Sequence, residues 1–238
     1  MKAQFDINGV CVQAHFDDKC VETVLKPLVR RLLGKASRKQ GRFLILLAAP
    51  SAAGKSTLAA FLEDLSGGKI QALGMDGFHR HQEEILRSTV VRNGETIPMV
   101  RVKGAPESFD VRKLYNALEA LQQGCDIRFP VYDRRLHDVA EDALEITSDV
   151  LLIEGNWLLL DELVWRDLPK DFTIFAEAEE ALLKERVIDR RLRTGRTLEE
   201  AQTLYEECDG PNIRLCMQNH LNPDVLLVQT ADGTYEMR

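Results

Sequence analysis

Residues 43–57 read Phe43-Leu44-Ile45-Leu46-Leu47-Ala48-Ala49-Pro50-Ser51-Ala52-Ala53-Gly54-Lys55-Ser56-Thr57, and this stretch decides the architecture. The apolar run to Ala48 is the pattern of a strand buried on both faces. The small residues after it form a loop whose backbone N–H groups can point inward, and Thr57 begins a helix that continues through Leu58, Phe61 and Leu62. Strand, loop and helix N-terminus in that order make a cradle for a triphosphate, because the loop amides and the positive end of the helix dipole converge on one point. Ala49, Ser51, Ala52, Ala53, Gly54, Lys55, Ser56 and Thr57 are therefore the expected nucleotide-binding residues. Lys55 would reach the β- and γ-phosphates and the Ser56 hydroxyl would ligate Mg²⁺. The pattern G-x-x-x-x-G-K-[ST] carries Ala49 at its first position. A methyl group there limits positive φ, so either Ala49 keeps an ordinary conformation or the first turn differs slightly. The competing reading is a strand-turn-helix junction that merely contains Gly-Lys-Ser.

Working outward, 238 residues of which 45% are hydrophobic can bury a core of one large α/β domain. We divide the chain into residues 1–40, a hairpin and helix packed on the core, and 41–238, the domain of the phosphate loop. A formal charge of −7 argues against general binding to nucleic acid or a membrane surface, so an anionic ligand must find local positive charge. The expected partner is a small-molecule substrate, with a homodimer left open. Five cysteines without a C-x-x-C pair disfavour zinc or a disulfide framework. With no leader-like segment or bilayer-length apolar run, a cytoplasmic location is expected.

Around Asn8-Gly9 the flanking residues alternate as in a small hairpin. Val21, Val24, Leu25, Leu28, Val29 and Leu32 recur at helical spacing, with Pro27 placed to split or kink the helix. Strands are expected over 69–75, 150–153 and 172–175, and helices over 110–123, 178–193, 198–207 and 211–221. A closing strand or hairpin is expected over 225–228 and 234–236. Strands alternating with helices imply a mostly parallel sheet with helices on both faces and ligands at the carboxyl ends of the strands. Residues 80–107, poor in regular pattern and carrying Gly94, Pro98, Gly104 and Pro106, read as a long excursion on the ligand side.

Asp76, in Met75-Asp76-Gly77-Phe78-His79, would emerge at the same sheet edge as the loop and could accept a hydroxyl proton; a turn or cap aspartate is the plain alternative. Glu154 ends the strand Val150-Leu151-Leu152-Ile153 and could hold Mg²⁺ through water. Spacing does not settle which of the two is base and which is metal-side ligand. Arg186, Arg190 and Arg193 share a helix face, with Arg191 and Arg196 nearby, that could close over the triphosphate, as catalytic charge, or remain a solvated face paired with acids. His79 reads as a substrate contact or helix cap. A metal pair with His81 lacks a third ligand.

Five ordered segments carry a resemblance: 49–57, 75–79, Lys103-Gly104-Ala105-Pro106-Glu107-Ser108-Phe109-Asp110, Phe129-Pro130-Val131-Tyr132-Asp133, and Ile153-Glu154-Gly155-Asn156-Trp157-Leu158-Leu159. Over roughly residues 40 to 220 the chain resembles the phosphoribulokinase, uridine kinase and pantothenate kinase family of P-loop kinases. It looks most similar to little-characterised bacterial members, some labelled sugar or fructose kinases. The resemblance implies a three-layer α/β P-loop NTPase fold, to which the alternation around Asn8-Gly9 adds a small N-terminal β-hairpin appendage. It also implies transfer of the γ-phosphate of ATP, with Mg²⁺, to a hydroxyl of a sugar, nucleoside or pantothenate-like alcohol. By it Asp76 is the catalytic base, Lys55 and Ser56 contact phosphate and metal, and Lys103, Tyr132, Arg134 and His137 lie near the acceptor. Arg128, Arg134, Arg135 and Lys103 would suit an acceptor bearing a carboxylate or phosphate. A nucleotide-operated regulatory switch is the alternative from a different class. It needs no acceptor pocket, so Asp76 and the 132–137 segment discriminate.

Overall fold

The computed structural model describes all residues except Asn8, Asn93, Arg134 and Ala231. The chain opens with strands β1 (Lys2–Ile7) and β2 (Val10–His15), an antiparallel pair with Phe5 opposite Val12 and Ile7 opposite Val10. A helical stretch follows as α1 (Asp18–Cys20), a π turn over Val21–Leu25 and α2 (Lys26–Ala36), with the Asp17 carboxylate accepting from the Cys20 amide at 2.7 Å as N-cap. Pro27 does not break it. The wide turn, in which the Lys26 amide donates to the Val21 carbonyl, sits just before the proline and absorbs the missing donor.

Next come β3 (Phe43–Ala48), α3 (Lys55–Leu65), β4 (Ile70–Gly74) and a 3₁₀ turn over Met75–Phe78. The excursion is more ordered than its composition suggests. It contains α4 (Gln82–Arg87) and the antiparallel pair β5 (Thr89–Arg92) and β6 (Glu95–Pro98), closed over a small core of Ile85, Val90, Met99, Val102 and Ala105. Then follow α5 (Val111–Gln122), the hairpin β7 (Arg128–Asp133) and β8 (Asp138–Glu145), β9 (Val150–Gly155) and β10 (Phe172–Glu177). The chain ends with α6 (Glu180–Arg193), α7 (Leu198–Leu204), a π turn over Tyr205–Asp209, α8 (Gly210–Gln218), β11 (Val225–Gln229) and β12 (Tyr235–Met237).

The main sheet has six strands in the order β12-β11-β10-β3-β9-β4, all parallel except β12. Its centre, β3, is buried throughout. Phe43, Ile45 and Leu47 point to a core shared with Leu28, Leu32, Leu58, Phe61 and Leu183, while Leu44, Leu46 and Ala48 point to one with Leu114, Leu118, Phe129 and Trp157. Each fully buried leucine, isoleucine or phenylalanine among them contributes about 1.5–3 kcal/mol, which is why an unbroken apolar strand here forces helices onto both faces. The three layers and the parallel core are those expected. β3 lies between β9 and β10, and the chain runs from β3 to β4 on one side of it and from β9 across to β10 on the other, so its carboxyl end is a topological switch point where ligands collect. Of the cysteines, Cys20, Cys208 and Cys216 are buried, Cys11 and Cys125 exposed, and all are unbridged.

Candidate active site

At the end of β3 the chain enters the phosphate loop with Ala49 fully buried, its amide donating to the Gly155 carbonyl at 3.3 Å. The left-handed positions of the loop are Ala52 (φ 66°) and Gly54 (φ 80°), not Ala49. Ala49 therefore tolerates its methyl group, and the conformational demand falls two and four residues after Pro50. Lys55 and Ser56 occupy the first turn of α3. The Ser56 hydroxyl donates to Glu154 Oε1 at 2.8 Å, and Glu154 stands at the end of the neighbouring strand with 8% of its surface exposed. Two hard oxygen donors 2.8 Å apart fit adjacent positions in an octahedral Mg²⁺ shell, where ligands at about 2.1 Å lie about 3 Å from one another.

Two strands away, β4 ends in the 3₁₀ turn that carries Asp76. Gly77 makes that turn possible: a Cβ there would fall 2.1 Å from the Pro130 carbonyl oxygen of β7. His79 follows in extended backbone, stacked on Phe109 (ring centroids 3.9 Å apart) and edge-on to Tyr132 (5.4 Å). Its Nδ1 lies 3.3 Å from the Ser108 carbonyl. A carbonyl only accepts, so the proton sits on Nδ1 and Nε2 keeps a lone pair. Burial pushes the His79 pKa below its ordinary value, against the pull of the Asp76 carboxylate, so the ring is neutral at physiological pH. The unfolded chain binds this proton more readily than the folded one, so His79 adds stability that is present above pH about 6.5 and lost as the pH falls through the lowered value. Thermal midpoints measured between pH 7.5 and 5 should drop, and the drop should be shallower in His79→Gln.

Lys103 reaches the same region. Its ammonium donates to the Tyr132 hydroxyl at 3.0 Å and to Gln82 Oε1 at 2.5 Å. From α6, Arg190 Nη2 donates to Ser51 Oγ at 3.2 Å, on the phosphate loop itself. Arg186 is placed differently: it donates to Gln229 Oε1 at 2.6 Å and to the Ala52 carbonyl at 3.4 Å, bracing the loop against β11. Arg193 pairs with Asp189 away from the loop at 2.5 Å.

These residues converge on one cleft of about 460 Å³, lined by Ser51, Ala52, Gly54, Lys55, Ser56, Thr57, Asp76, His79, Lys103 and Arg190. Its other lining residues are Gly104, Phe109 and Asn156, from the segments that carry the family resemblance, Arg191, beside the arginine stripe, and Ile7, Val12 and Asp209, which the sequence did not single out for the site. Larger hollows of 570 and 700 Å³ lie beside the N-terminal hairpin and near the C-terminal strand, but neither brings a helix N-terminus, a carboxylate and converging cations together. Ala49 and Ala53 are buried beneath the loop rather than lining the cleft, and Tyr132 touches it through Lys103 and His79. His137 sits exposed at the β7–β8 turn with φ 54°, outside the cleft lining. Arg134 lies outside the described residues. Arg128 bonds the Asp142 carbonyl at 2.6 Å, and His81 faces Asp138 and Glu141, each at 3.3 Å. Among the described residues no three His, Cys, Asp or Glu side chains cluster as a metal site, and no helix is long and apolar enough to cross a membrane. Beneath the loop the Cys216 thiol donates to the Asn156 carbonyl at 3.0 Å, and burial pushes its pKa up to about 12, so it is a packing thiol rather than a nucleophile.

The sequence profile of the phosphoribulokinase / uridine kinase family matches residues 44–229, a span that contains the phosphate loop, Asp76, Glu154 and the arginine helix. The chain belongs to this family. It is 38% identical to the uncharacterised protein YggC of Escherichia coli (strain K12), over 99% of this chain and 98% of that one. It is 30% identical to the pantothenate kinase of Ligilactobacillus salivarius over 62% of this chain, and the match covers 49% of the relative's length. A crystal structure from Silicibacter sp. TM1040, of a protein provisionally described as a fructose transport system kinase, superposes with a TM-score of 0.77 at 29% identity, covering 86% of this chain and 98% of that one. The fold is thus that of the P-loop kinases, and the family is one of small-molecule kinases.

Proposed function

We propose that this family member is an ATP- and Mg²⁺-dependent kinase that transfers the γ-phosphoryl group to a hydroxyl of a small metabolite. One observation carries the reading: a single cleft is lined at once by the phosphate loop with Lys55, Ser56 and Arg190, and by Asp76, His79, Lys103 and Phe109. Transfer requires little covalent chemistry from the protein beyond alignment, charge neutralisation and the handling of one proton.

Asp76 lines the cleft, whereas Glu154 is turned to the Ser56 hydroxyl. On that geometry Asp76 takes the acceptor proton as oxygen attacks phosphorus, and Glu154 and Ser56 are the residues that would hold Mg²⁺. When bound, the ion would neutralise charge on the β- and γ-phosphates. Lys55 and Arg190 supply positive charge against the negative charge that builds toward the leaving ADP, while Arg186 holds the loop in shape. Neutral His79, with its Nε2 lone pair, and Lys103 with Tyr132 offer one acceptor and two donors to orient a polyhydroxylated or anionic substrate. Purified protein with Mg-ATP should release ADP faster in the presence of one class among sugars, nucleosides, pantothenate and phosphorylated sugars. ADP release indifferent to every acceptor, with intact nucleotide binding, would instead favour a regulatory ATPase.

A further inference from the structure

The profile match begins at residue 44, yet two side chains from the first dozen residues, Ile7 and Val12, line the cleft. The hairpin reaches it because of how it is anchored. Alternation along β1 and β2 puts Ala3, Phe5, Ile7, Val12 and Ala14 on the less exposed side, and Gln4, Asp6, Cys11 and Gln13 outward. Phe5 meets the Phe61 ring of α3 edge-on at 6.3 Å and Phe16 stacks on it at 3.8 Å. The Phe16 amide donates to the Met1 carbonyl at 2.8 Å, closing the open end of the hairpin. With its base fixed to the helix that begins at Lys55, the hairpin extends toward the start of that helix, and its tip residues become part of the cleft.

The far side of the tip indicates which ligand it faces. A Cβ placed on Gly9 would lie 4.0 Å from Arg135 Nε, in the turn between β7 and β8. That hairpin carries Tyr132, the partner of Lys103 and His79, whereas the arginine helix that touches Ser51 contributes from elsewhere. Ile7 and Val12 are also aliphatic in a lining that is otherwise largely polar or charged. We propose that the N-terminal hairpin is a working wall of the site, on which Ile7 and Val12 pack against a hydrocarbon portion of the acceptor. The acceptor class this fits is a hydroxyl compound with an apolar flank beside its polar groups, and such a wall makes the acceptor's fit depend on hydrophobic contact as well as on Lys103. This rests on the kinase reading above.

The test is the double variant Ile7→Ser/Val12→Ser, which leaves the Phe5, Phe16 and Phe61 anchor intact, compared with Cys11→Ser at an exposed position on the outward face of the same hairpin. For the acceptor that supports the fastest ADP release in the unaltered protein, KM should rise about 10-fold or more in the double variant. Its kcat should stay within about 2-fold, as should the affinity for a fluorescent Mg-ADP analogue, as expected when a ground-state contact is lost. Cys11→Ser should change none of these, and the pair Ile7→Leu/Val12→Ser, which keeps an aliphatic group at position 7, should bring KM part of the way back. An unchanged acceptor KM in a folded double variant overturns the wall. Absence of any acceptor dependence in the unaltered protein overturns the kinase reading itself, a separate outcome.

Discussion

Asp76→Asn should lower phosphoryl transfer by about 10²–10⁴-fold, the range that removal of a general base produces, while Mg-nucleotide affinity stays within about twofold. The amide is nearly isosteric with the carboxylate but cannot take a proton from an attacking hydroxyl. The 3₁₀ turn holding residue 76 is built from Gly77 and from backbone contacts rather than from the carboxylate, since the His79 amide donates to the Asp76 carbonyl. The fold of the site should therefore survive the change. Mass spectrometric detection of phosphorylated acceptor, beside fluorescence titration with a nucleotide analogue, separates the two effects. A variant that transfers at the unaltered rate would remove Asp76 from the chemistry and return it to the role of a turn aspartate.

Gly77→Ala should be the most damaging of the glycine-to-alanine changes, since its Cβ makes the shortest contact of any of them. Its Cβ would stand 2.1 Å from the Pro130 carbonyl oxygen, 2.5 Å from the carbonyl carbon and 2.9 Å from the Val131 amide nitrogen, all of them backbone atoms of β7. A side chain can swing away from such a contact; two backbones cannot without separating. The expected cost is about 3 kcal/mol, at the upper end for overpacking, visible as a lower urea midpoint. Because the turn and β7 must move apart by a large fraction of an ångström, Asp76, His79 and Tyr132 lose register together. A misplacement of about 1 Å costs about 10²-fold in rate, so transfer by the folded fraction should fall by that order as well. Gly74→Ala is the contrast: its Cβ would lie 3.6 Å from Glu154 Oε1, an ordinary contact, and stability should change by less than about 1 kcal/mol.

The parts of this molecule that could be read from the chain are those where one physical demand dominates. The apolar run from Phe43 to Ala48 ends in a loop of small residues, which favours a buried strand, and Gly54-Lys55-Ser56 at its exit favours a phosphate over a bare junction. Elsewhere two demands compete. Pro130 lowers the strand character of Arg128 to Asp133, yet β7 forms because the proline sits where the register with β8 shifts between Phe129 and Val131. In the excursion, the Asn93-Gly94 pair between Val90-Val91-Arg92 and Glu95-Thr96-Ile97 carried the same hairpin signal as Asn8-Gly9, but the surrounding glycines and prolines obscured it. The helix at Pro27 continued because a π turn accommodates a missing donor, which periodicity alone does not encode.

The site divides in the same way. Residues adjacent to a strand end, Lys55, Ser56, Asp76 and Glu154, were legible because the parallel sheet fixes where strand ends lie. Asp209 was not, since only the packing of α6 against the π turn before α8 brings it to the cleft, where Arg191, placed by sequence beside the arginine stripe, donates through Nε and Nη2 to its Oδ2 at 2.8 and 2.5 Å. Arg186 and Arg190, four residues apart on one helix face, proved to do different things, one bracing the loop from behind and the other standing at the cleft. Helical spacing reports a shared face and is silent on what that face meets.

The account's central claim is that the two halves of the cleft act on one phosphoryl group, and the fate of that group tests it most directly. With ATP labelled on the γ-phosphate, Mg²⁺ and the acceptor panel, the label should appear in a phosphorylated small molecule, in step with ADP and with little free phosphate. Label that appears only as inorganic phosphate, whichever acceptor is present, would contradict the claim.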